Sequence, residues 1–573
     1  MKIVETLSPL TLLVSTAIWA APVPLPNAGS LGNQLRQEAH FDVPAPVAPA
    51  LVLPANSASQ SRTSADNSTV VVIRQVHFTG DVLQDGINEA MLQKIIESDL
   101  NKPLTFSDLQ QITEKITARY RQSGMLLARA ILPAQTIHSG ELTIQIVPGR
   151  YDDATVNNAT TLRSQVIQHL VLTTTPTGEV IRRGQLERVA LLLNEIPGVN
   201  AQVALSPGKK TGTSALDINM MPGQRVGGYI GLDNQGDPNT GRSRVMAGVY
   251  ANNLLGLGDL LKVDLLDAYE KSDLFSGSLD YSLLAGGYYG TRVGINYSHL
   301  NYRYNLNKLG FNGDSDNWGV YVTQPLVRLA QARVDLRADA QTQSLTDHYP
   351  VDFGSGTQGR KQVNLGDVSV QGSLAYIPGG VTGFAVTGTV GSVDLRNDVA
   401  RTWSGMGSDG QFSRLNYQFN HDQHLWGSFS LYANLMGQQA SHNLDSSQRF
   451  LMGGPTGVRA YDIGDGAVDN GNIVTAELRS QWPVPVQRWL GRAPTVTVAT
   501  FYDQGWGRQM KDNRVAQLPD NNINLSGAGL YASLGDAGNY ALNLTWAHRT
   551  GDADPSAVHD DHDRFWISAV KTF

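Results

Sequence analysis

The last 350 residues of the chain, 224–573, contain no segment with convincing helical periodicity. They consist of segments of roughly ten residues in which apolar and polar side chains alternate, separated by turns rich in Gly, Asn and Asp. Ser428–Leu435 (SFSLYANL) and Tyr540–Ala547 (YALNLTWA) are two examples. Alternation places all the apolar side chains on one face of a β-strand. This region must therefore fold as a sheet with one apolar face, either a soluble sandwich or a membrane barrel.

Length and the lack of long apolar runs favour the barrel. At about 22 residues per strand and connection, this region makes about sixteen strands, which is long for a soluble sandwich. Beyond the N-terminus no run of about eighteen apolar residues exists, so a helical membrane protein is excluded. A closed barrel leaves no sheet edge unpaired in lipid. The prediction is a transmembrane antiparallel β-barrel of about sixteen strands.

Connection lengths and the C-terminus agree with a barrel. Polar stretches at Asn305–Trp318, His348–Gln362 and Arg508–Asn522 are predicted as long outer loops, and Asp536–Asn539 as a short turn. The chain ends on Phe565–Phe573 (FWISAVKTF), an alternating strand with a terminal aromatic residue. This ending resembles the sorting signature of bacterial outer-membrane barrels.

The N-terminal segment has the order of an export signal followed by a linker. Residues 1–20 contain the apolar stretch Leu7–Trp19 and are predicted as a signal peptide. Residues 21–69 are rich in Pro, Ala, Ser and Asn, which is typical of a linker. Leu31–His40 within it could form a mostly polar helix, and the alternative is a solvated linker throughout.

Residues 70–223 have globular character, and their order of elements repeats. The first pass contains a strand, two amphipathic helices and two further strands, predicted at Val70–Phe78, Ile87–Glu97, Phe106–Gln122, Leu126–Leu132 and Leu142–Val147. The second pass has the same order, at Asp153–Val156, Leu162–Leu170, Gln185–Glu195, Val199–Leu205 and Ala215–Met220. Each pass is an α+β domain of the order β-α-α-β-β, with two helices packed on a three-stranded sheet.

Composition limits the chemistry of the chain and the classes of molecule that it can bind. The chain has no cysteine, which excludes disulfides and thiolate metal sites. The net charge is −7, and residues 70–223 carry 14 basic and 14 acidic residues, so nucleic acid is not an expected partner. This neutrality suits recognition of a peptide at a sheet edge or groove better than steering by charge.

A motif in the first domain resembles a known family. Tyr120–Ala130 (YRQSGMLLARA), followed by Leu132–Gln135 (LPAQ), Gly140–Leu142 (GEL) and Val147–Gly149 (VPG), resembles the polypeptide-transport-associated (POTRA) domain of two-partner secretion transporters of the haemolysin-activator type. These belong to the wider BamA-like superfamily of barrels preceded by POTRA domains. The residues that carry the match are Tyr120, Gly124, Pro133, Gln135 and Gly140.

The resemblance implies a complete layout for the chain. After the signal peptide, residues 21–69 hold a Pro-rich linker and a candidate plug helix at 29–41, with Leu31, Leu35 and Arg36 as its candidate contact residues. The remaining regions are POTRA 1 at 70–148, POTRA 2 at 149–223, and the barrel at 224–573, whose connection 449–470 folds inward. We call residues 449–470 the inward loop.

The most specific motif of the family is a Val-Arg-Gly-Tyr/Phe loop that meets an Asp on a later strand. The loop here reads Val458-Arg459-Ala460-Tyr461, and Phe501–Gly505 (FYDQG) resembles the strand. Alternation places Phe501 and Asp503 on the face that points into the lumen, where a charge requires water or a partner.

The resemblance implies that Arg459 pairs with Asp503 and that Val458, Tyr461, Phe501 and Gly505 surround the pair. An arginine could donate two parallel hydrogen bonds to that carboxylate. The alternative is that Arg459 lies in an exposed loop and Asp503 at a strand end. Ala460 departs from the family's Gly, so the loop tip must either suit an alanine backbone or be reshaped.

The implied function is two-partner (type Vb) secretion. The expected partners are a large exoprotein, bound through its N-terminal secretion domain, and outer-membrane lipid and lipopolysaccharide. The barrel is expected to be monomeric, with its POTRA domains in the periplasm. The alternative is an insertase of the BamA-like superfamily, which typically has three or more POTRA domains.

An enzyme is not expected. The sequence has no Gly-x-Ser-x-Gly, P-loop or His-Glu-x-x-His motif. The acidic and histidine run His559–Asp563 is more typical of a solvated loop than of a metal site, because metal ligands must converge. No cofactor and no metal are therefore expected.

Overall fold

The computed structural model describes residues 26–39, 51–52, 70–82, 86–137, 139–270, 274–306, 308–350, 357–404, 407–484, 494–536, 538–551 and 561–573. The predicted signal peptide lies outside these residues, as does most of the linker. No helix in the described part of the chain is long and apolar enough to cross a membrane.

The first element is helix α1, Ala28–Ala39. It begins at Asn27, whose side-chain oxygen accepts the backbone N–H of Ser30 at 3.0 Å, as an N-cap residue does. The prediction placed the helix at 29–41, and residues 40–41 lie outside the described ones. After it comes the two-residue strand β1, Leu51–Val52.

The first α+β unit has the predicted element order. Its elements are β2 (Val71–Val72), β3 (Gln75–Gly80), α2 (Glu89–Ile96), β4 (Pro103–Leu104), α3 (Phe106–Gln122), β5 (Arg129–Ile131) and β6 (Glu141–Val147). The main sheet has the order β3-β6-β5, with β3 parallel to β6. Helix α3 begins at a capping box, in which Thr105 and Asp108 satisfy each other's backbone N–H.

The second unit repeats this order and gains a strand. It contains β7 (Arg150–Asn158), α4 (Ser164–Thr174), α5 (Arg183–Asn194), β8 (Val199–Pro207) and β9 (Thr213–Pro222). The sheet has four strands rather than the predicted three, because Leu51–Val52 pairs in parallel with Val203 and Ala204 at the edge of β8. A two-residue strand is too short to show periodicity, so the sequence placed it in the linker.

Sixteen strands form a closed antiparallel barrel, as predicted. They are β10 (Val226–Asp233), β11 (Arg244–Asn252), β12 (Leu260–Asp267), β13 (Leu274–Leu284), β14 (Arg292–Leu306), β15 (Leu309–Leu329), β16 (Ala332–His348), β17 (Gln358–Leu374), β18 (Gly380–Leu395), β19 (Gly410–Trp426), β20 (Phe429–Ala440), β23 (Asn470–Pro483), β24 (Thr495–Arg508), β25 (Asn522–Asp536), β26 (Tyr540–Arg549) and β27 (Asp563–Thr572). Between β20 and β23, the short strands β21 (Phe450–Leu451) and β22 (Ala467–Val468) pair with each other.

The outer face of the barrel is apolar. Large apolar side chains that point outward and are exposed include Ile230, Leu232, Val249, Leu265, Ile295, Val320, Val368, Val390, Leu415, Phe419, Leu431, Leu544, Phe565 and Ile567. A soluble protein would bury such a band, whereas lipid solvates it. The same alternation turns the polar and charged residues of these strands inward.

One predicted loop is wrong. Asn305–Trp318 was expected as a long polar outer loop, but β14 extends to Leu306 and β15 begins at Leu309. The stretch is polar because these strands continue beyond the apolar band, which is only about 25 Å tall, and strand pairing there needs no apolar face. Among the other outer connections, short helices lie at Asp398–Ser404 (α6) and Asn513–Ala516 (α7).

The second unit is docked on the barrel end from which β10 starts. The guanidinium of Arg328, at the end of β15, contacts the carboxylate of Glu195 at 2.7 Å. Arg188 of α5 donates to the carbonyls of Pro325 and Leu326 at 2.8 and 3.0 Å. The turn between β11 and β12 contributes Gly256, whose carbonyl accepts the N–H of Arg163 at 2.9 Å. The unit is therefore held at the mouth of the barrel.

Candidate functional site

The inward loop leaves the far end of the barrel between β20 and β23 and folds back against the inner wall. Its glycines allow this tight path. A Cβ on Gly457 would lie 2.1 Å from the carbonyl oxygen of Met452, and Gly454 has φ +107°. Neither position tolerates a side chain without a shift of the backbone. The loop thus presents Arg459 to the wall of the barrel.

Arg459 and Asp503 form a bidentate pair. The Arg459 Nε and Nη2 atoms donate to the two carboxylate oxygens of Asp503, each at 2.8 Å. The backbone N–H of Arg459 donates to the same carboxylate at 3.1 Å, and the hydroxyl of Thr475 at 2.9 Å. Asp503 is 0 % exposed, so its charge is balanced by these donors rather than by water.

Arg459 also contacts groups that the sequence did not indicate. Its Nη1 donates to Glu477 of β23 at 2.7 Å, and its guanidinium carbon lies 3.4 Å from the ring centre of Phe501. Arg479 donates to the other oxygen of Glu477 at 2.7 Å. The guanidinium is thus held by two carboxylates and an aromatic face, an arrangement that the planar fork of arginine fits and lysine does not.

The other predicted loop residues pack around this pair. Val458 is fully buried, and a Cβ on Gly505 would lie 3.0 Å from Val458 Cγ2. The Tyr461 hydroxyl accepts the backbone N–H of Ser526 at 3.3 Å. Trp566 of β27 donates from Nε1 to the carbonyl of Arg459 at 2.8 Å. The loop therefore contacts strands β24, β25 and β27.

The structure accommodates Ala460 at the position where the resemblance predicts glycine. It is not among the described residues with positive φ, so the backbone there suits alanine. Its side chain is buried against Gly527 of β25, where an added Cβ would lie 2.5 Å from the Cβ of Ala460. Of the two alternatives left by the sequence, the structure agrees with an alanine-compatible backbone.

Helix α1 lies inside the barrel, between its wall and the inward loop. Leu31 is buried in a cluster with apolar residues that point inward from the barrel strands, and Leu35 packs against that cluster. Arg36 donates from Nη2 to the carbonyl of Ser447 at 2.7 Å. At the helix start, the N–H of Ala28 donates to Asp347 of β16 at 2.8 Å.

The C-terminal half of α1 is held by polar contacts. Glu38 accepts from Arg244 of β11 at 3.0 Å, and Arg244 also forms a bidentate pair with Asp233 of β10. Gln37 exchanges two hydrogen bonds with the backbone of Leu451 in the inward loop, at 3.0 and 3.2 Å. Hydrogen bonds of this kind can be replaced by water, so the contacts of α1 suit a removable element.

The residues of the POTRA 1 motif lie in the first unit, away from the lumen, and shape its fold. Tyr120 is buried and donates from its hydroxyl to the carbonyl of Val82 at 2.7 Å. Gly124 and Gly140 have φ of +98° and +78° at the ends of turns. Gln135 exchanges two hydrogen bonds of 2.7 Å with the backbone of Thr143. Pro133 lies in the same segment as Gln135, just after β5.

Several residues of this site could not be singled out from the sequence. Glu477, Arg244, Asp347 and Trp566 contact the loop or the plug helix, and Glu38 is the residue of the helix that Arg244 contacts. The sequence signal that was available is the alternation of apolar and polar residues, which places Glu477 and Trp566 on inward faces. Alternation does not show which inward residues contact each other.

The acidic and histidine run near the last strand lies only partly among the described residues. Residues 559–560 lie outside the described ones. Asp561 pairs with Arg564 at 2.8 Å, and Asp563 accepts the indole N–H of Trp546 at 3.0 Å and lies 3.0 Å from Nδ1 of His548. No group of three or more potential ligands converges among the described residues.

A closed sixteen-stranded barrel, filled by a plug helix and an inward loop and preceded by two α+β units, defines an outer-membrane transporter of the POTRA-plus-barrel class. Comparison with models of known families shows which family within this class the chain belongs to. The family model "Haemolysin secretion/activation protein ShlB/FhaC/HecB" matches residues 212–531, and "POTRA domain, ShlB-type" matches residues 71–149. The chain belongs to this haemolysin secretion/activation family of two-partner secretion transporters.

Relatives and solved structures agree with that assignment. The chain is 34% identical over 489 residues to the heme/hemopexin transporter protein HuxB of Haemophilus influenzae (strain 86-028NP), covering 84% of each chain. It is 25% identical over 447 residues to the outer membrane transporter CdiB of Escherichia coli O6:K15:H31, covering 74% of this chain and 71% of the relative. The structure of CdiB from Escherichia coli superposes with a TM-score of 0.73 at 18% identity, over 96% of this chain and 99% of that one.

Family and fold together establish the cellular location and orientation of the chain. It is an outer-membrane β-barrel of a transporter family, with its POTRA domains in the periplasm. The mouth next to the second unit is therefore the periplasmic end, and the inward loop enters from the outer end. The family is one of transporters and not a class of enzymes.

Proposed function

We propose that this chain is the translocation pore for a large partner exoprotein, which it recognises through the partner's N-terminal secretion domain and passes to the cell surface by two-partner secretion. The observation that carries the proposal is helix α1. It precedes the POTRA domains in sequence, yet it lies in the lumen, where apolar packing holds Leu31 and Leu35 and hydrogen bonds that water can replace hold its C-terminal half. A removable plug is required of a pore that must be closed at rest and open during export.

Recognition is proposed to occur at the edge of β8 in the second POTRA domain. Leu51–Val52 of the chain's own linker occupies this edge as a parallel strand. The edge therefore accepts an extended apolar segment through backbone hydrogen bonds, and a segment of the exoprotein would replace the linker there. This competition would connect cargo binding to the segment that follows the plug.

We propose the following steps after recognition. Helix α1 leaves the lumen, the unfolded exoprotein passes through, and folding of the exoprotein outside the cell gives the movement its direction. Heme/hemopexin transport appears in the name of HuxB, so an exoprotein for haem acquisition is the first cargo to test. The apolar outer face is proposed to contact outer-membrane lipid and lipopolysaccharide around a monomeric barrel.

The proposed domain limits are POTRA 1 at 70–148, POTRA 2 at 149–223 and the barrel at 224–573. Gly149 and Gly223 support these limits, because each lies in the connection between units at a site too crowded for a side chain. A Cβ on Gly149 would lie 2.8 Å from the Cβ of Leu127.

The test is deletion of residues 150–222, which form the second unit and contain the proposed edge, from the full-length chain. Export of a cognate exoprotein should stop, while the barrel should still insert, as measured by heat-modifiable migration and pore conductance. A photo-crosslinking residue in place of Gln202, exposed on β8, should capture the exoprotein's secretion domain. The matched position Thr155, exposed on β7 of the same sheet, should capture less. Unchanged export by the deletion variant would reject the proposal.

A further inference from the structure

The seam between the first and last barrel strands is short. Strand β10 pairs with β27 from Gly228 opposite Phe573 to Asn234, whose N–H donates to the carbonyl of Ile567 at 3.2 Å. On its other side β27 pairs with β26 as far as Asp563. The outer end of β27, Asp563–Trp566, therefore has no strand partner toward β10 among the described residues.

A single side chain replaces part of that missing pairing. The Asn234 amide donates to the carbonyl of Phe565 at 2.8 Å and accepts the N–H of Ile567 at 2.8 Å. Phe565 and Ile567 point outward, whereas Arg564 and Trp566 point into the barrel and are buried. On the lipid side, few backbone hydrogen bonds thus hold the outer half of the seam closed.

On the inner side, the inward loop bridges the two sides of the seam through one carboxylate. Arg242, in the connection that follows β10, donates from Nη1 and Nη2 to the two oxygens of Asp462 at 2.7 and 3.0 Å. Arg564 of β27 donates from Nη2 to the same carboxylate at 2.8 Å. Asp462 lies next to the Arg459 motif, so one loop contacts both the wall and the seam.

The bridge depends on the negative charge of Asp462. The side chains of Asp462 and Arg564 are 5 and 7 % exposed, so neither charge is fully hydrated. Without the negative charge of Asp462, two arginines would face each other across the seam and repel each other. Arg564 would keep its pair with Asp561, but that carboxylate is exposed and does not reach across the seam to Arg242, so the loss of Asp462 removes the buried charge between the two arginines.

We propose that Asp462 is the positioning residue through which the inward loop holds the outer half of the barrel seam closed. Docking of the loop and closure of the seam are then one coupled equilibrium. Given the proposed function, on which this role in export rests, a closed seam keeps the exported chain in the lumen and out of the membrane.

The test is hydrogen–deuterium exchange of the full-length protein in lipid nanodiscs, without any exoprotein. In Asp462→Asn, the backbone amides of β27 from Arg564 to Ile567 should exchange about tenfold faster than in the unsubstituted protein. Amides of β18, on the opposite side of the barrel, should not change. The measurement does not involve export, so it can succeed or fail independently of the proposed function.

The matched control is Asp445→Asn. Asp445 is an equally buried carboxylate in the same connection, but it pairs with Lys361 of β17 and not with the seam. It should leave β27 exchange unchanged. Should Asp462→Asn not insert, Arg242→Gln removes the more exposed partner and should give a smaller acceleration at the same amides. Unchanged β27 exchange in the Asp462 or Arg242 variant, or equal acceleration in Asp445→Asn, would overturn the proposal.

Discussion

Arg459 of the inward loop donates two hydrogen bonds of 2.8 Å to the carboxylate of Asp503 on β24. The pair joins residues 44 positions apart in the chain and fixes the loop against the barrel wall. Because Asp503 is fully buried, the pair stabilises the docked loop only while both charges are present.

Arg459→Ala should therefore undock the loop and abolish export, while the barrel still inserts. Removing one partner of a buried, hydrogen-bonded ion pair costs about 3–5 kcal/mol, enough to reverse the docking equilibrium. Arg459→Lys should recover little, because one ammonium cannot serve Asp503 and Glu477 together. Surface exoprotein and heat-modifiable migration are the measurements. Arg508→Ala, an exposed arginine on β24, is the control and should export normally.

Gly527→Ala should weaken loop docking by steric overlap, because its Cβ would lie 2.5 Å from the Cβ of Ala460. Overpacking of this kind costs about 1–3 kcal/mol. The double variant Gly527→Ala with Ala460→Gly removes the overlapping methyl and should recover most of the docking. Trypsin cleavage after Arg459 in the purified barrel reports undocking. If the double variant were cleaved as fast as the single one, the contact would not be the cause.

Two glycines of helix α1 should respond differently to alanine. A Cβ on Gly29 would lie 3.0 Å from Ser446 Oγ and from Ser447 Cβ, whereas on Gly32 the nearest atom would be 3.8 Å away. Alanine favours the helix at both positions by about 1 kcal/mol, so only the packing differs. Gly29→Ala should raise the open fraction of the pore in planar bilayers, and Gly32→Ala should not. Equal conductance in the two variants would contradict the described position of the plug.

A disulfide across the seam should leave export intact. Gly228 and Phe573 exchange both backbone hydrogen bonds, so three positions along, Gly231 and Val570 form a non-hydrogen-bonded pair, in which side chains approach closely. The chain has no cysteine of its own, so Gly231→Cys with Val570→Cys can form only the intended bond. Export by the oxidised variant, compared with the same cells under reductant, is the measurement. Arrest on oxidation would favour the insertase alternative, which works by opening this seam.

Much of the architecture could be predicted from the sequence. Alternation identified the barrel, and amphipathic periodicity placed helix α3 at the observed bounds, Phe106–Gln122. Resemblance of motifs directed attention to Arg459 and Asp503, which lie in contact. The sequence failed where polarity was taken to mean a loop: Asn305–Trp318 is mostly strand, because pairing outside the lipid needs no apolar face.

The residues that the site contacts could not be predicted from the sequence, and the reason is physical. Leu51–Val52 was hidden in a linker because two residues carry no period, and the edge that it covers belongs to another domain. Glu477 was one of many inward polar residues, and only its register with β24 brings it to Arg459.

By itself, the sequence determined which side chains face lipid and which face the lumen, because the two-residue period of a strand is a local property of the chain. The tertiary structure decided which charges meet inside. Arg242 and Asp462 are 220 positions apart, and Asp462 and Arg564 are 102 apart. Such contacts depend on strand register, on the path of the inward loop and on closure of the barrel, none of which a local pattern specifies.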